Sequence, residues 1–292
     1  MIKKVILIVC YNITFFFCCG PLFFTPLSSV WAHEPIKPVV VTTTKPMAII
    51  AKSALGDNAT VEFILPPGQS PHDAVITVSV LNKIAAADMV LWIGPSFEVR
   101  VAKHLLSIPK EKLLTGMEFI YQTESQNEQN IGSNNEIDPH IWLSPKIARR
   151  IASALQEALN MPERDIFTEK QFIAVANLLE SAKDQYFISH HDSISYFVDA
   201  FSLQPPFTLR NGMGGKRGAR SQLNLRSQAL QFNARCVLVE PQQGYKDASR
   251  VAGDLQLPLV KFDVQAMGRD LKNINYADYM YSIAEQLKSC FQ

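Results

Sequence analysis

VVVTTTKPMAIIAKSALGDNATVEFIL, residues 39–65, reads as strand, helix, strand. VVVTTT (39–44) is β-branched throughout, which suits a pleated strand better than a helix. KPMAIIAKSALG (45–56) places Pro46 in the first turn of a helix and Gly56 just past its end, the asymmetry that helix termini prefer. VEFIL (61–65) is a second strand, stopped by Pro66, Pro67 and Gly68. A strand that returns to a second strand through a helix makes a parallel pair.

The alternation continues outward. VSVLNKIAAA (78–87) is a predicted helix, MVLWIG (89–94) a buried strand and FEVRVAKHLLS (97–107) an amphipathic helix. TESQNEQNIGSNNEID (123–138) has almost nothing to bury and reads as a polar loop. PKIARRIASALQEAL (145–159) and IFTEKQFIAVANLLESAKDQ (166–185) carry apolar residues at helical spacing. YFIS (186–189), CVLVE (236–240) and LVKFD (259–263) are strands. SISYFVDAF (193–201), QLNLRSQALQFN (222–233), DASRVAGDL (247–255) and YADYMYSIAEQLKSCF (276–291) are helices. RNGMGGKRGARS (210–221) is a basic, Gly-rich stretch. The fold class is therefore α/β, with two lobes, each a parallel sheet flanked by helices, joined by a helical segment. The expected boundaries are a lobe over 33–144, a linking segment over 145–185 and a lobe over 186–292.

The first 32 residues differ from the rest. Lys3 and Lys4 precede VILIVCYNITFFFCCGPLFF, which carries no charge, and SSVWA places Val30 and Ala32 at the minus-three and minus-one positions of a secretory cleavage site. A retained anchor is the other reading of this long apolar run; Asn12, Gly20, Pro21 and Pro26 interrupt it and favour cleavage. Lipid attachment at Cys18 or Cys19 is disfavoured by the bulky Phe in FFFC and FFCC. Removing Lys3 and Lys4 takes Lys+Arg from 28 to 26 against 27 Asp+Glu, so the exported chain carries about −1. A near-neutral chain without a long run of one sign offers no field for nucleic acid. Cys236 and Cys290 remain after cleavage. In an oxidising compartment such an even pair is expected to form a disulfide, closing a loop of about 55 residues and stabilising the fold by roughly 2–4 kcal/mol; two buried thiols are the alternative.

Most of the histidines and several carboxylates follow strands or sit in turns. QSPHDA holds His72 and Asp73, the turn EIDPHIWLSP (136–145) holds Asp138 and His140, and YFIS leads to His190, His191 and Asp192. Glu240 and Asp263 end the strands that carry them. In open α/β sheets the carboxyl edge is where ligands bind. A lone histidine in a turn is more often bonded to its own loop, but three placed alike suit zinc. Asp73 and Asp192 either orient these ligands or cap the following helices, with capping favoured. Catalytic constellations fare worse: there is no Gly-x-Ser-x-Gly elbow and no HExxH. The GK of GMGGKRG lacks the Ser or Thr of a phosphate loop, so that stretch reads as a solvated loop, with anion binding the lesser reading.

SPHDA, ADMVLWIGPSFE, DPHIWLSP, HDSISYF, CVLVEPQ and the Cys236–Cys290 pair, in order from about residue 39 to the end, resemble the metal-binding receptors of bacterial ABC importers, and most closely the periplasmic zinc receptors of the ZnuA type. The resemblance implies a metal site between the lobes and no enzymatic activity. It implies Zn²⁺ as the bound ligand, held by His72, His140 and His191. The fourth position falls to Asp263 or water, with Asp263 slightly preferred; Pro71 stands where some members place a glutamate. Manganese receptors of this class have glutamate in place of His191. The partners implied are the zinc ion, an inner-membrane permease and its ATPase, with the receptor a periplasmic monomer. A manganese or iron receptor on the same scaffold, a secreted zinc hydrolase and an adhesin with a vestigial metal site are the alternatives. Two departures stand out: the 123–138 loop lacks the histidines of many zinc receptors, and the stretch between Leu159 and His191 is shorter than the family's long helix by roughly three turns. His190 is the fallback ligand if the register slips.

Overall fold

Val39–Thr42 (β1), Thr60–Phe63 (β2), Met89–Trp92 (β3) and Leu113–Thr115 (β4) form a parallel sheet in the order β2-β1-β3-β4. Ile188–Ser189 (β5), Phe207–Thr208 (β6), Val237–Val239 (β7) and Leu259–Lys261 (β8) form a second, in the order β6-β5-β7-β8. The computed structural model describes residues 36–66, 76–121, 137–210 and 215–292. The segment 1–32, the QSPHDA stretch with His72, residues 123–136 of the polar loop and residues 211–214 of the Gly-rich stretch lie outside them. In each sheet the chain starts on an inner strand, crosses to one edge, and returns past its start to the other side. The reversal opens a crevice at the carboxyl ends of the two inner strands, β1/β3 and β5/β7.

Helices Lys45–Leu55 (α1), Val78–Ala86 (α2), Val99–Leu105 (α3) and Glu118–Tyr121 (α4) accompany the first sheet. Ser195–Ala200 (α7), Ala219–Gln231 (α8), Lys246–Leu255 (α9) and Tyr276–Lys288 (α10) accompany the second. Pro145–Ala158 (α5) and Glu169–Leu178 (α6) lie between. The opening strand–helix–strand unit forms as its sequence predicts. β1 and β2 pair in parallel with Val40 opposite Val61, and α1 has Pro46 in its first turn. Gly56 closes α1 at φ +59°, a conformation that favours glycine.

Three elements are absent from the sequence-based reading. β4 and β6 are edge strands of three and two residues, and α4 is a single turn. Segments this short show no periodicity to read. The helical stretch expected over 166–185 is the ten-residue α6 and a 3₁₀ turn, Glu180–Ala182. A capping box starts α6: Thr168 accepts from the Gln171 backbone, and the Gln171 side chain accepts from the Thr168 backbone.

One apolar core runs through both sheets. Ile49 and Ile50 of α1, Leu91 and Ile93 at β3, Ile147 and Ile151 of α5, Leu238 of β7, Phe262 after β8, and Met280 and Ile283 of α10 belong to the same buried cluster. α1 packs on α5 and α10, and α10 packs on α6. Polar contacts pin the same seam: Gln156 of α5 donates to the Ala54 carbonyl at 3.0 Å, and the Tyr276 backbone N–H donates to Ser53 Oγ at 2.8 Å. The disulfide joins Cys236, just before β7, to Cys290, just after α10, with Cα atoms 5.4 Å apart. It fastens the last helix to an inner strand. Among the described residues no helix is long and apolar enough to cross a membrane.

Candidate metal centre

His140 owes its position to its neighbours on both sides. Asp138 Oδ1 accepts from the His140 backbone N–H at 2.9 Å and pairs with its Nδ1 at 2.7 Å. Ile141–Leu143 then forms a 3₁₀ turn whose three side chains are buried. Trp142 donates from Nε1 to the Val264 carbonyl at 3.2 Å, and Tyr276 donates from its hydroxyl to the Trp142 carbonyl at 2.8 Å. Tyr196 of α7 donates to the Asp138 carbonyl at 3.1 Å. The turn that follows the first sheet is therefore gripped by residues of the second. Ser144 caps α5 by accepting from the Ile147 backbone, and Pro145 occupies the first helical position. Gly116 lets the turn approach: a Cβ there would stand 2.5 Å from Ile141 Cδ1 and 3.3 Å from the Trp92 carbonyl oxygen.

His191 leaves the carboxyl end of β5 and Glu240 leaves that of β7. His191 Nδ1 lies 2.5 Å from Glu240 Oε1, which also accepts from the Ser193 hydroxyl at 2.6 Å; Gln242 donates to Glu240 Oε2 at 2.6 Å. Burial works to lower the His191 pKa, but the Glu240 carboxylate outweighs it and holds the imidazole above its ordinary value. For Glu240, burial would raise the pKa, and His191 and Ser193 together bring it below the ordinary value. A carboxylate accepting from Nδ1–H fixes the tautomer that leaves the Nε2 lone pair free. The His191 Nε2 is buried and has no hydrogen-bond partner among the described residues.

The structure brings His140 and His191 together. Their ring centroids are 5.0 Å apart, with an interplanar angle of 69°, and both side chains are about 2% exposed. With Zn–N bonds of about 2.0–2.1 Å, two imidazoles on one tetrahedral ion have centroids roughly 5 Å apart. Each ring is backed at Nδ1 by a carboxylate, which leaves Nε2 as the nitrogen able to take a cation. His190 goes elsewhere. It is buried with neither ring nitrogen partnered among the described residues, and burial first, then Arg210, pushes its pKa down. Asp263 lies two residues past β8 and folds onto its own loop, its Oδ2 accepting from the Gly268 backbone at 3.0 Å. Its Oδ1 is buried and unpartnered among the described residues, and no hydrogen bond joins it to either histidine. Among the described residues no group of three His, Cys, Asp or Glu side chains stands at metal-holding geometry; His72 lies outside them. Asp192 does not cap α7 as the sequence suggested but accepts from the Ser195 hydroxyl at 2.9 Å.

Glu240 and Glu98 are the residues that sequence reasoning undervalued. Glu240 was legible as a carboxylate at the same sheet edge, but the fold was needed to set it behind His191. Glu98 is the only charged residue of MVLWIGPSFE, and it is buried. It accepts from the Ile93 and Gly94 backbone N–H groups at 2.8 and 3.1 Å and so ties the turn after β3. Burial raises its pKa to about 7 against the restraint of these donors.

Two parallel sheets that share a core and bring together two carboxylate-backed histidines define a two-lobed α/β protein with a candidate metal centre. Comparison with known proteins agrees. The family described as ZnuA, zinc-uptake complex component A periplasmic, matches residues 40–290, and the chain belongs to it. The high-affinity zinc uptake system protein ZnuA of Yersinia pestis is 23% identical over 291 residues, covering 87% of this chain and 91% of that protein. The zinc-binding lipoprotein AdcA of Streptococcus pneumoniae is 27% identical over 189 residues, 56% of this chain and 37% of AdcA. Among solved structures, the periplasmic zinc-binding protein TroA of Treponema pallidum superposes with a TM-score of 0.72 at 17% identity, covering 87% of this chain and 99% of its own. A ZnuA crystal structure gives 0.68 at 18% identity, covering 87% and 98%.

Proposed function

We propose that this chain captures Zn²⁺ in the periplasm with His72, His140, His191 and either Asp263 or a water molecule, and delivers it to an ABC permease driven by its ATPase. The observation that carries the reading is the His140–His191 pair, 5.0 Å between ring centroids and backed by Asp138 and Glu240. Neutral imidazoles favour zinc over manganese, which prefers oxygen ligands. The buried, unpartnered Oδ1 of Asp263 supports it as the fourth ligand. The receptor acts as a monomer after cleavage following Ala32. Its working divisions are a lobe over 33–144, a link over 145–185 and a lobe over 186–292. Capture needs ligands from both lobes, and release needs only that one side withdraw.

The test is a titration of metal-stripped chain 33–292 with zinc and manganese against a competing chelator, beside His72→Ala, His140→Ala and His191→Ala. One tight zinc site, preferred over manganese and weakened in every variant, is expected. Equal affinity for the two metals would turn the reading to a manganese or iron receptor, and zinc binding untouched by the His140 and His191 variants would refute the site.

A further inference from the structure

We propose that the second lobe carries an oxyanion site distinct from the histidine pair, suited to a multivalent phosphate, sulfate or clustered carboxylate group. A cavity of about 450 Å³ opens at the carboxyl end of β6, lined by Arg210, Lys216, Arg217, Arg226 and Arg250 with one carboxylate, Asp247. The whole chain carries a formal charge of only +1, so this concentration of cations is local and not a general basic bias. Like charges gathered around a cavity repel one another and create a field that draws an anion in.

The carboxylates at hand leave that field largely standing. Asp247 alone serves two cations, pairing with Arg210 and, at 4.0 Å through the same oxygen, with Lys216. Arg226 pairs with Asp254 at 3.1 Å. Arg217 spends one guanidinium nitrogen on the Thr208 hydroxyl, while its Nε is buried with no hydrogen-bond partner among the described residues. Arg250 makes no ion pair among them. The planar guanidinium fork matches the oxygens of a phosphate or carboxylate. The thirteen-residue α8 opens at the same cavity through Ala219; Gly218 gives its first turn no side-chain cap, and no acidic residue stands there. Leu209, Leu223 and Val251 add an apolar wall, which fits an anion borne on a small organic body or on a peptide. β6 neighbours β5 in the sheet, so the cavity lies on the edge that carries His191, one strand away.

Calorimetric titration of the metal-free chain 33–292, which contains every described residue, tests this. The probes are inorganic phosphate, sulfate and a hexaglutamate peptide at constant ionic strength. Arg217→Gln and Arg250→Gln are compared with Arg100→Gln, a substitution on the other lobe. Saturable binding is expected, roughly tenfold weaker in either cavity variant and unchanged in the control, since each loses a charge-assisted hydrogen bond. Response to the small ions identifies a free anion as the source; response to the peptide alone, with the same sensitivity, identifies an acidic segment of a partner chain. No saturable binding of any probe, or binding indifferent to both cavity variants, overturns the proposal. Zinc titration of the same variants should match the parent chain, so this site and the zinc reading stand or fall separately.

Discussion

Glu240 matters to the proposed site although it is not itself one of the proposed ligands. It touches His191 at Nδ1 and so decides which nitrogen is left for the ion. Replacing it with Gln keeps a hydrogen bond but removes the charge that favours Nδ1–H. Zinc affinity is expected to fall by about 10–100-fold, with the fold intact by circular dichroism; an unchanged affinity would show that His191 is oriented by packing alone. Glu98 gives a pH signature unrelated to metal. Its pKa rises from the ordinary 4.5 to about 7 on folding. Below 4.5 it is protonated in both states and costs nothing. Between 4.5 and 7 the unfolded chain releases the proton and the folded chain does not, so its contribution to stability is lost as pH rises, by up to about 3 kcal/mol. Glu98→Gln should therefore flatten this part of the stability curve. Urea unfolding of the parent and the variant at about pH 5 and about pH 8 reads the difference; parallel curves would contradict the assignment. The histidines at this scale were legible as types in turns. The choice of His191 over its neighbour His190 rested on the family resemblance, and the residues alone did not carry it. The His140–His191 ring contact favours His191.

At the scale of elements, the turn over residues 138–143 carries the site, and Gly116 sets how closely it can approach the first sheet. Gly116→Ala would place a methyl group 2.5 Å from Ile141 Cδ1. Such overpacking costs about 1–3 kcal/mol and displaces the turn. A lowered melting temperature together with weaker zinc binding is expected; Ile141→Val in the same chain should restore part of both, and a fully stable Gly116→Ala would show that the turn has slack. The long, strongly patterned elements were readable because burial and periodicity agree, as in α1, α5 and α10. β4 and β6 were not, because a two- or three-residue edge strand is specified by its neighbour in the sheet and not by its own residues. The fate of the linking segment was only half legible. Its helical content was readable, but the stack of Phe172 on Phe201 at 4.9 Å and the packing of α6 on α10 were not.

At the scale of the molecule, one core serves both sheets, and the disulfide secures the last helix to the second. Cys236→Ser with Cys290→Ser removes the constraint on the unfolded chain and is expected to cost about 2–4 kcal/mol. The loss should appear in thermal unfolding while the zinc stoichiometry is kept. Loss of zinc binding with the fold retained would mean that the bridge also holds the β7 edge, and Glu240 with it. A shared core also limits the scale of opening. Swinging the sheets apart as rigid halves would expose Ile49, Ile147 and Met280 together, so release is better served by loops at the edge than by a wide hinge.

The Trp142 indole lies 5.2 Å from the His140 imidazole and is fully buried. Of the three tryptophans, Trp31 precedes the proposed cleavage point after Ala32, and Trp92 is hydrogen-bonded to Thr115. The protein thus carries its own optical probe beside the proposed zinc site. In a Trp92→Phe background, the emission of one buried indole should change with each zinc ion captured and again with each one surrendered, so that delivery can be timed without any added label.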